Sequence, residues 1–359
     1  MKNRHAEVLT AQDLGQTGTE IINLDVVDPI SRLTLLHYPN GGSNTIIAHP
    51  VKNIKTLEIV DGSDVLLSLT GFQLHAMSIF EAAAPKATYI DARTSAQPLI
   101  AIDINFGRYL WDKVLAFDPK KFTNPQIKLS WDERLYDASC SSHTFAIYAH
   151  LMEGLAAEPT GFLVNKSIKS FEPVSGGYEY TDIPTDLILR KLVIQAFKKG
   201  HGVRGLCETI KLSEDNDKRV PLDGDIYYLR SFLDDLVPET VDTIKVTAAA
   251  APTEMFVTPH NVLAGVVTND TADKVARLYP YSGGYVVVES ETAAHRISAI
   301  VRGKNPHGCI CIPFGDQAII DDWYKVTELG SLRLRTKGGT GSASGDEVNI
   351  ITQQLRNYS

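Results

Sequence analysis

Apolar and polar residues alternate over short stretches of this chain, and turn-forming residues separate the stretches. Ser31-Arg32-Leu33-Thr34-Leu35-Leu36-His37-Tyr38 reads as a strand that runs into Pro39-Asn40-Gly41-Gly42, a turn. Ile54-Lys55-Thr56-Leu57-Glu58-Ile59 alternates as a strand with one buried face does. Ile100–Ile104, Ile127–Leu129, Phe145–Tyr148, Leu192–Phe197, Tyr285–Val288, Cys309–Ile312 and Leu332–Leu334 repeat the habit. Helical signals are few. Leu66–Phe80 carries a helix-compatible apolar face that Gly71 weakens, and Asp225–Leu236 reads as a helix with Asp225 as N-cap, closed before Pro238. Asp112–Phe117 and Gln317–Val326 read as short helical turns. Many short strands with few helices favour a sandwich or jelly roll over a doubly wound sheet.

An internal repeat organises these elements. A strand, a polar turn and a helix-like stretch open at Thr56-Leu57-Glu58-Ile59-Val60-Asp61-Gly62, then Val65 onward, and again at Thr209-Ile210-Lys211-Leu212-Ser213-Glu214-Asp215, then Val220 onward. A strand ending in Phe-Gly follows in each: Ile102–Arg108 and Ile310–Asp316. Trp111-Asp112 and Asp322-Trp323 come next, then the charged strands Ile127-Lys128-Leu129 and Leu332-Arg333-Leu334. Phe106 to Ile127 is 21 residues, and Phe314 to Leu332 is 18. Last strands lie near Phe145–Tyr148 and Val348–Ile351. The spacing differs in one place: Val65 to Phe106 is 41 residues, whereas Val220 to Phe314 is 94. The second half therefore carries about fifty extra residues within 237–300. Surface loops tolerate such additions, so this region is expected to decorate an outer face with Ser282-Gly283-Gly284 as a hairpin tip. The expected organisation is an arm over 1–20, a first unit over 21–158 and a second over 159–359.

At 359 residues, 43% of them hydrophobic, the chain suits about two domains of ~100–200 residues with sizeable cores. A net charge of −8 argues against nucleic-acid binding through bulk positive charge. Cys140, Cys207, Cys309 and Cys311 include no CxxC pair and read as buried small hydrophobes. The polar start Met1–Glu7 carries no secretory signal pattern, and no apolar run is long enough for a spanning helix.

The doubled plan resembles the double-jelly-roll major capsid proteins of icosahedral viruses, the lineage that includes the adenovirus hexon and several tailless bacteriophages. The resemblance rests on Ile102–Arg108 with Phe122–Leu129, and on Thr185–Leu212 leading into Glu214–Pro221. In organisation it covers about 20–359. It implies a mainly β fold of two tandem eight-stranded jelly rolls with a few short helices. It also implies a homotrimer with near-sixfold shape, assembled into a virion shell beside minor capsid and vertex proteins, in the host cytoplasm if the host is a bacterium. Residues 1–20 would be an arm ordered only by neighbours, with Lys2 and Arg4 offered to genome or an internal membrane.

Enzyme motifs are missing from the sequence: no GxxxxGK[ST], GxSxG or HExxH occurs, and the ten histidines form no His-x-His pair. No catalytic, cofactor-binding or metal residue is therefore assigned, and no cofactor is expected. Gly338–Gly345 reads as a flexible loop between late strands. Glu214-Asp215-Asn216-Asp217 lacks the glycine and terminal Glu of a calcium loop and reads as a solvated turn. Ser142-His143 are neighbours without a nameable third partner. Asp234-Asp235 and Asp321-Asp322 read as solvent-facing pairs rather than an acid–base couple. The rival reading is a carbohydrate-binding or carbohydrate-cleaving β-sandwich, which would need Trp111, Trp131 or Trp323 to line a groove. A cupin-type metalloenzyme comes third.

Overall fold

The computed structural model describes residues 2–40, 46–84, 86–93, 96–140, 142–154, 158–248, 252–269, 276–290 and 295–358. The turn expected to continue through Gly41-Gly42 lies outside them.

The first half supplies β1 (Lys2–Gln12), β2 (Thr17–Asn23), β3 (Ile30–Pro39), β4 (Ile54–Asp61), β5 (Asp64–Leu69), α1 (Gly71–Phe80), β6 (Lys86–Asp91), β7 (Ile100–Asn105), β8 (Pro125–Asp132) and β9 (His143–Glu153). The second half supplies β10 (Gly161–Phe171), β11 (Tyr178–Asp182), β12 (Ile188–Ala196), β13 (Cys207–Glu214), β14 (Arg219–Asp225) and α2 (Ile226–Leu233). It closes with β21 (Cys309–Pro313), β22 (Leu332–Gly338) and β23 (Val348–Asn357). Between them come β15 (Thr240–Ala248), β16 (Thr253–Phe256), β17 (Pro259–Asn269), β18 (Ala276–Tyr281), β19 (Tyr285–Ser290) and β20 (His295–Pro306).

Leaving β6 aside, the halves have one topology. In the first, β1-β9-β3-β7 form one sheet and β2-β8-β4-β5 run side by side in another; in the second, β10-β23-β12-β21 and β11-β22-β13-β14 repeat both orders. Each half is therefore an eight-stranded roll with its first, third, sixth and eighth strands in one wall. The expected mainly β class holds. The matched segments fall on equivalent strands: Thr56 and Thr209 on β4 and β13, Ile127 and Leu332 on β8 and β22, Phe145 and Val348 on β9 and β23.

The Phe-Gly repeat has a structural cause. Phe106-Gly107 and Phe314-Gly315 each close a sixth strand, where the returning loop crosses at close range. A Cβ on Gly107 would lie 2.4 Å from the Leu115 carbonyl oxygen, and one on Gly315 would lie 2.0 Å from that of Asp322. The amide after each glycine is held by the aspartate of the following Trp-containing pair: Arg108 N donates to Asp112 Oδ2 at 3.1 Å, and Asp316 N donates to Asp322 Oδ2. Replacing either Asp112 or Asp322 by alanine leaves that amide without its acceptor. Asp112→Ala, at a wholly buried carboxylate, is expected to cost about 1–3 kcal/mol in urea unfolding, and Asp322→Ala, at an exposed one, less. A loss in one half with no effect in the other would contradict the equivalence.

Three expectations about the rolls change. Residues 1–20 are not a free arm: β1 pairs with β9 from Lys2↔Glu153 to Gln12↔Phe145 and completes the first wall. Arg4 is already engaged, its Nε 2.7 Å from Glu153 Oε1. The helix expected over 66–80 begins at Gly71, because Leu67 and Leu69 pair across to Ile59 and Leu57 of β4. Asp112–Phe117 is not helical; the nearby 3-10 turn is Pro119–Lys121. By contrast α2 begins as read, with the Asp225 side chain accepting from Tyr227 N.

The extra residues of the second half build a third lobe rather than loops. β17-β20-β15-β6 and β16-β19-β18 pack around Ile244, Val246, Met255, Val286, Val288, Ile297 and Val301. The first half contributes to it, since β6 lies parallel to β15 from Lys86↔Thr240 to Asp91↔Lys245. Ser282–Gly284 is a hairpin turn, but not an outward tip. Gly283 N donates to His260 O, and the neighbouring Tyr285 ring lies under Lys199 of the loop after β12.

Candidate functional site

The two rolls meet along one shared wall. Parallel pairing of β5 with β10, at Leu67↔Asn165 and Ser68↔Lys166, fuses the second wall of the first roll to the first wall of the second. Strands of this wall in the second roll are largely covered on both faces, and β21 is apolar on both, whereas β12 and β23 also bury Arg190, Lys191, Gln195, Gln353 and Gln354. In β21, Cys309 and Cys311 face the larger core with the first half, while Ile310 and Ile312 face the second roll's own core. The four cysteines are free thiols and buried, as expected.

Helix α1 seals this wall. Its entry is held by Thr70 N donating to Gln73 Oε1 at 3.0 Å, and Gln73 Nε2 reaches Gln195 Oε1 of β12 at 3.1 Å. At its C-terminal end Glu81 meets Arg190 Nη1 at 2.8 Å and also binds Lys191 Nζ. All three are buried. Burial alone would raise the Glu81 pKa, but the two cations more than reverse this and hold it at about 2. Arg190 also lies over the Trp323 ring. Arg108 adds a further tie between halves, donating to Ala318 O at 2.8 Å.

Apolar side chains also remain exposed. Tyr227, Tyr228 and Phe232 project from α2, with Leu236 just beyond it. Val266 and Ile300, register partners on β17 and β20, are exposed on the outer face of the third lobe together with Leu263.

The residues singled out in the sequence do not assemble a catalytic centre. His143 turns away from Ser142: its Nδ1 lies 3.1 Å from Glu133 Oε1, and Ser142 Oγ accepts from Asn40 instead. Glu133 is wholly buried and also contacts His37 Nε2 at 3.2 Å and Asn53 Nδ2 at 2.7 Å. In the 214–217 turn, Asp217 pairs with Lys211 and Asp215 Oδ1 accepts from Ser331 N, so the acidic groups are spent internally. Asp234 is taken by Arg230 and Asn305. The 338–345 stretch does join β22 to β23, but it is pinned, with Asp346 binding Lys198 Nζ and Ala343 N. Trp131 and Trp323 are buried and donate to the carbonyls of Gly15 and Asp316. Trp323 borders a surface cleft with Arg219, Pro221, Phe314 and Tyr324, but its ring is almost wholly covered there.

One cluster carries no signal in the sequence. His49, His75 and His307, far apart along the chain, converge with one nitrogen of each within 4.8 Å of the others. His75 Nδ1 and His307 Nε2 are 2.9 Å apart. Burial pushes the His49 pKa down to about 3 and takes that of His307 well below its ordinary value. Spacing rules look for ligands on one element, and here each histidine comes from a different one.

The same architecture occurs in solved structures. The STIV MCP superposes with a TM-score of 0.62 at 10% identity, over 100% of this chain and 98% of that one. The fold is the double jelly roll. The major capsid protein P2 from bacteriophage PM2 superposes with a TM-score of 0.56, also at 10% identity and over 100% and 98% of the two chains. A PBCV-1 VP54 crystal structure gives 0.55 at 8% identity, over 99% and 94%. No family model matches the sequence, and no curated protein matches it. At such identities the double jelly roll is retained through wall topology rather than through shared residues.

Proposed function

We propose that this protein is a major capsid protein that self-assembles as pseudo-hexagonal trimers into an icosahedral shell. The observation that carries the reading is the doubled roll itself: two rolls of one strand order, fused through a shared wall, in a chain covered end to end by capsid proteins of this fold. Three such chains present six similar rolls and so tile a facet as a hexagon would. The division into units near residue 158 belongs to the same proposal. The exposed apolar side chains of α2 and of the third lobe supply contact area of the kind obligate interfaces bury. The role is structural rather than enzymatic, the location is the virion, and assembly takes place in the host cytoplasm if the host is a bacterium. Minor capsid and vertex proteins are the partners beyond self-association.

Light scattering across protein concentrations, followed by electron microscopy, tests this. The expected result is a particle of three times the 39.4 kDa chain mass, or hexagonal tiles and shells. A monomer that persists at every concentration overturns it. The carbohydrate rival gains nothing from the buried Trp131 and Trp323, and binding on a glycan array that depends on a tryptophan would be needed to revive it.

A further inference from the structure

Three imidazoles that self-assembly does not require meet where the first roll, the third lobe and the second roll converge. His49 caps the short 3-10 turn Pro50–Asn53, His75 sits within α1, and His307 occupies the tight turn between β20 and β21. All three are buried. We propose that His49, His75 and His307 form a structural binding site for a divalent transition-metal ion of the zinc class.

The donor set fits the ion. Neutral imidazole is a ligand for zinc, copper and nickel, and burial favours the neutral form. The 2.9 Å between His75 Nδ1 and His307 Nε2 is within a few tenths of an ångström of the roughly 3.3 Å kept by two nitrogens bound at about 2.0–2.1 Å to a tetrahedral metal. The rings are oriented from outside, as metal-binding histidines commonly are. Thr88 Oγ1 lies 3.3 Å from His75 Nε2, which leaves His75 Nδ1 to face the ion. His49 Nε2 lies 3.1 Å from Thr258 Oγ1 and its Nδ1 accepts from Val51 N at 3.3 Å, so a bound ion would replace one of these two contacts. The Thr258 amide is in turn held by the Asp242 carboxylate. His307 Nδ1 is buried without a hydrogen-bond partner, so the ring's hydrogen bonding rests on Nε2, whose contact with His75 Nδ1 an ion would replace. Three imidazoles leave a fourth position for a water. A bound ion would tie the first roll, through His49 and His75, to the turn that leads from the third lobe into β21.

The test uses the full chain, stripped of metal by a chelator and titrated with zinc and cobalt(II). The expected result is one equivalent bound, visible ligand-field bands with cobalt, and a raised melting temperature that a chelator reverses. His307→Asn keeps a residue that tolerates the φ of 51° found there and should weaken binding at least tenfold. X-ray absorption on zinc-loaded wild type needs no variant and should show a shell of imidazole nitrogens. No binding at one equivalent, an oxygen-only shell, or unchanged affinity in a folded His307→Asn protein would each overturn the proposal. None of these readouts depends on whether the chain forms trimers.

Discussion

Glu81→Ala destabilises the folded chain by about 3–5 kcal/mol, because it strands two buried cations, Arg190 and Lys191, in the wall between the rolls. The pair is costly to bury and costlier to break: the desolvation of both cations is already incurred, and without the carboxylate nothing offsets it. Removing the solvent-exposed pair Lys121–Glu158 should change stability far less and serves as the control. The pH dependence has a definite sign. The Glu81 pKa falls from 4.5 to about 2 on folding, so its contribution is full above the unfolded value and fades as pH drops from 4.5 toward 2. At 1.36 kcal/mol per unit the linked stability is about 3 kcal/mol. Urea unfolding at matched protein concentration should show the wild type losing this stability in acid while Glu81→Ala shows a flatter profile. Equal midpoints at neutral pH would sink the argument.

Phe162→Ala is expected to cost a similar amount, about 3–5 kcal/mol, by opening a cavity in the larger core. Phe162 belongs to β10, a strand of the second roll, yet its ring packs 5.4 Å from Phe117 and 5.7 Å from Phe122 of the first half. Tyr358, near the end of the chain, stacks on it at 5.5 Å. The same strand pairs with β23 along its whole length. One deletion should therefore weaken both rolls together. Trp131 reports on the first roll and Trp323 on the second, so single-tryptophan versions of Phe162→Ala should unfold at one shared, lowered midpoint. A shift at Trp131 alone would mean that the rolls unfold independently.

Much of the fold was legible along the chain because a roll strand has one buried face and one polar one. Ile54–Ile59 and Ile127–Leu129 alternate for that reason, and they pair as neighbours, Leu57 with Leu129 and Ile59 with Ile127. Asp225 announced α2 because an N-cap works through its own local hydrogen bond. The Phe-Gly and aspartate positions recurred because both halves make the same tight crossing.

Other features gave weaker local signs. β1 is polar because it is an edge strand with few buried side chains; Leu9 is buried while Asn3, Arg4 and His5 face solvent. β6 resembles a loop segment until β15, about 150 residues later, pairs with it. No periodicity reports such a distant partner.

The sequence by itself determined the strand-forming segments, their order, the duplication and the place of the enlargement, since all of these are written in residue-to-residue periodicity and spacing. Only the tertiary structure decided that the rolls share a wall, that Glu81 finds Arg190 and Lys191 across it, and that the enlargement is a lobe with its own core. The histidines at 49, 75 and 307 belong with that second group. Which buried face meets which, and which lone polar group finds a partner, depends on chain segments brought together from far apart, and the alternation of residues within one strand carries no record of them.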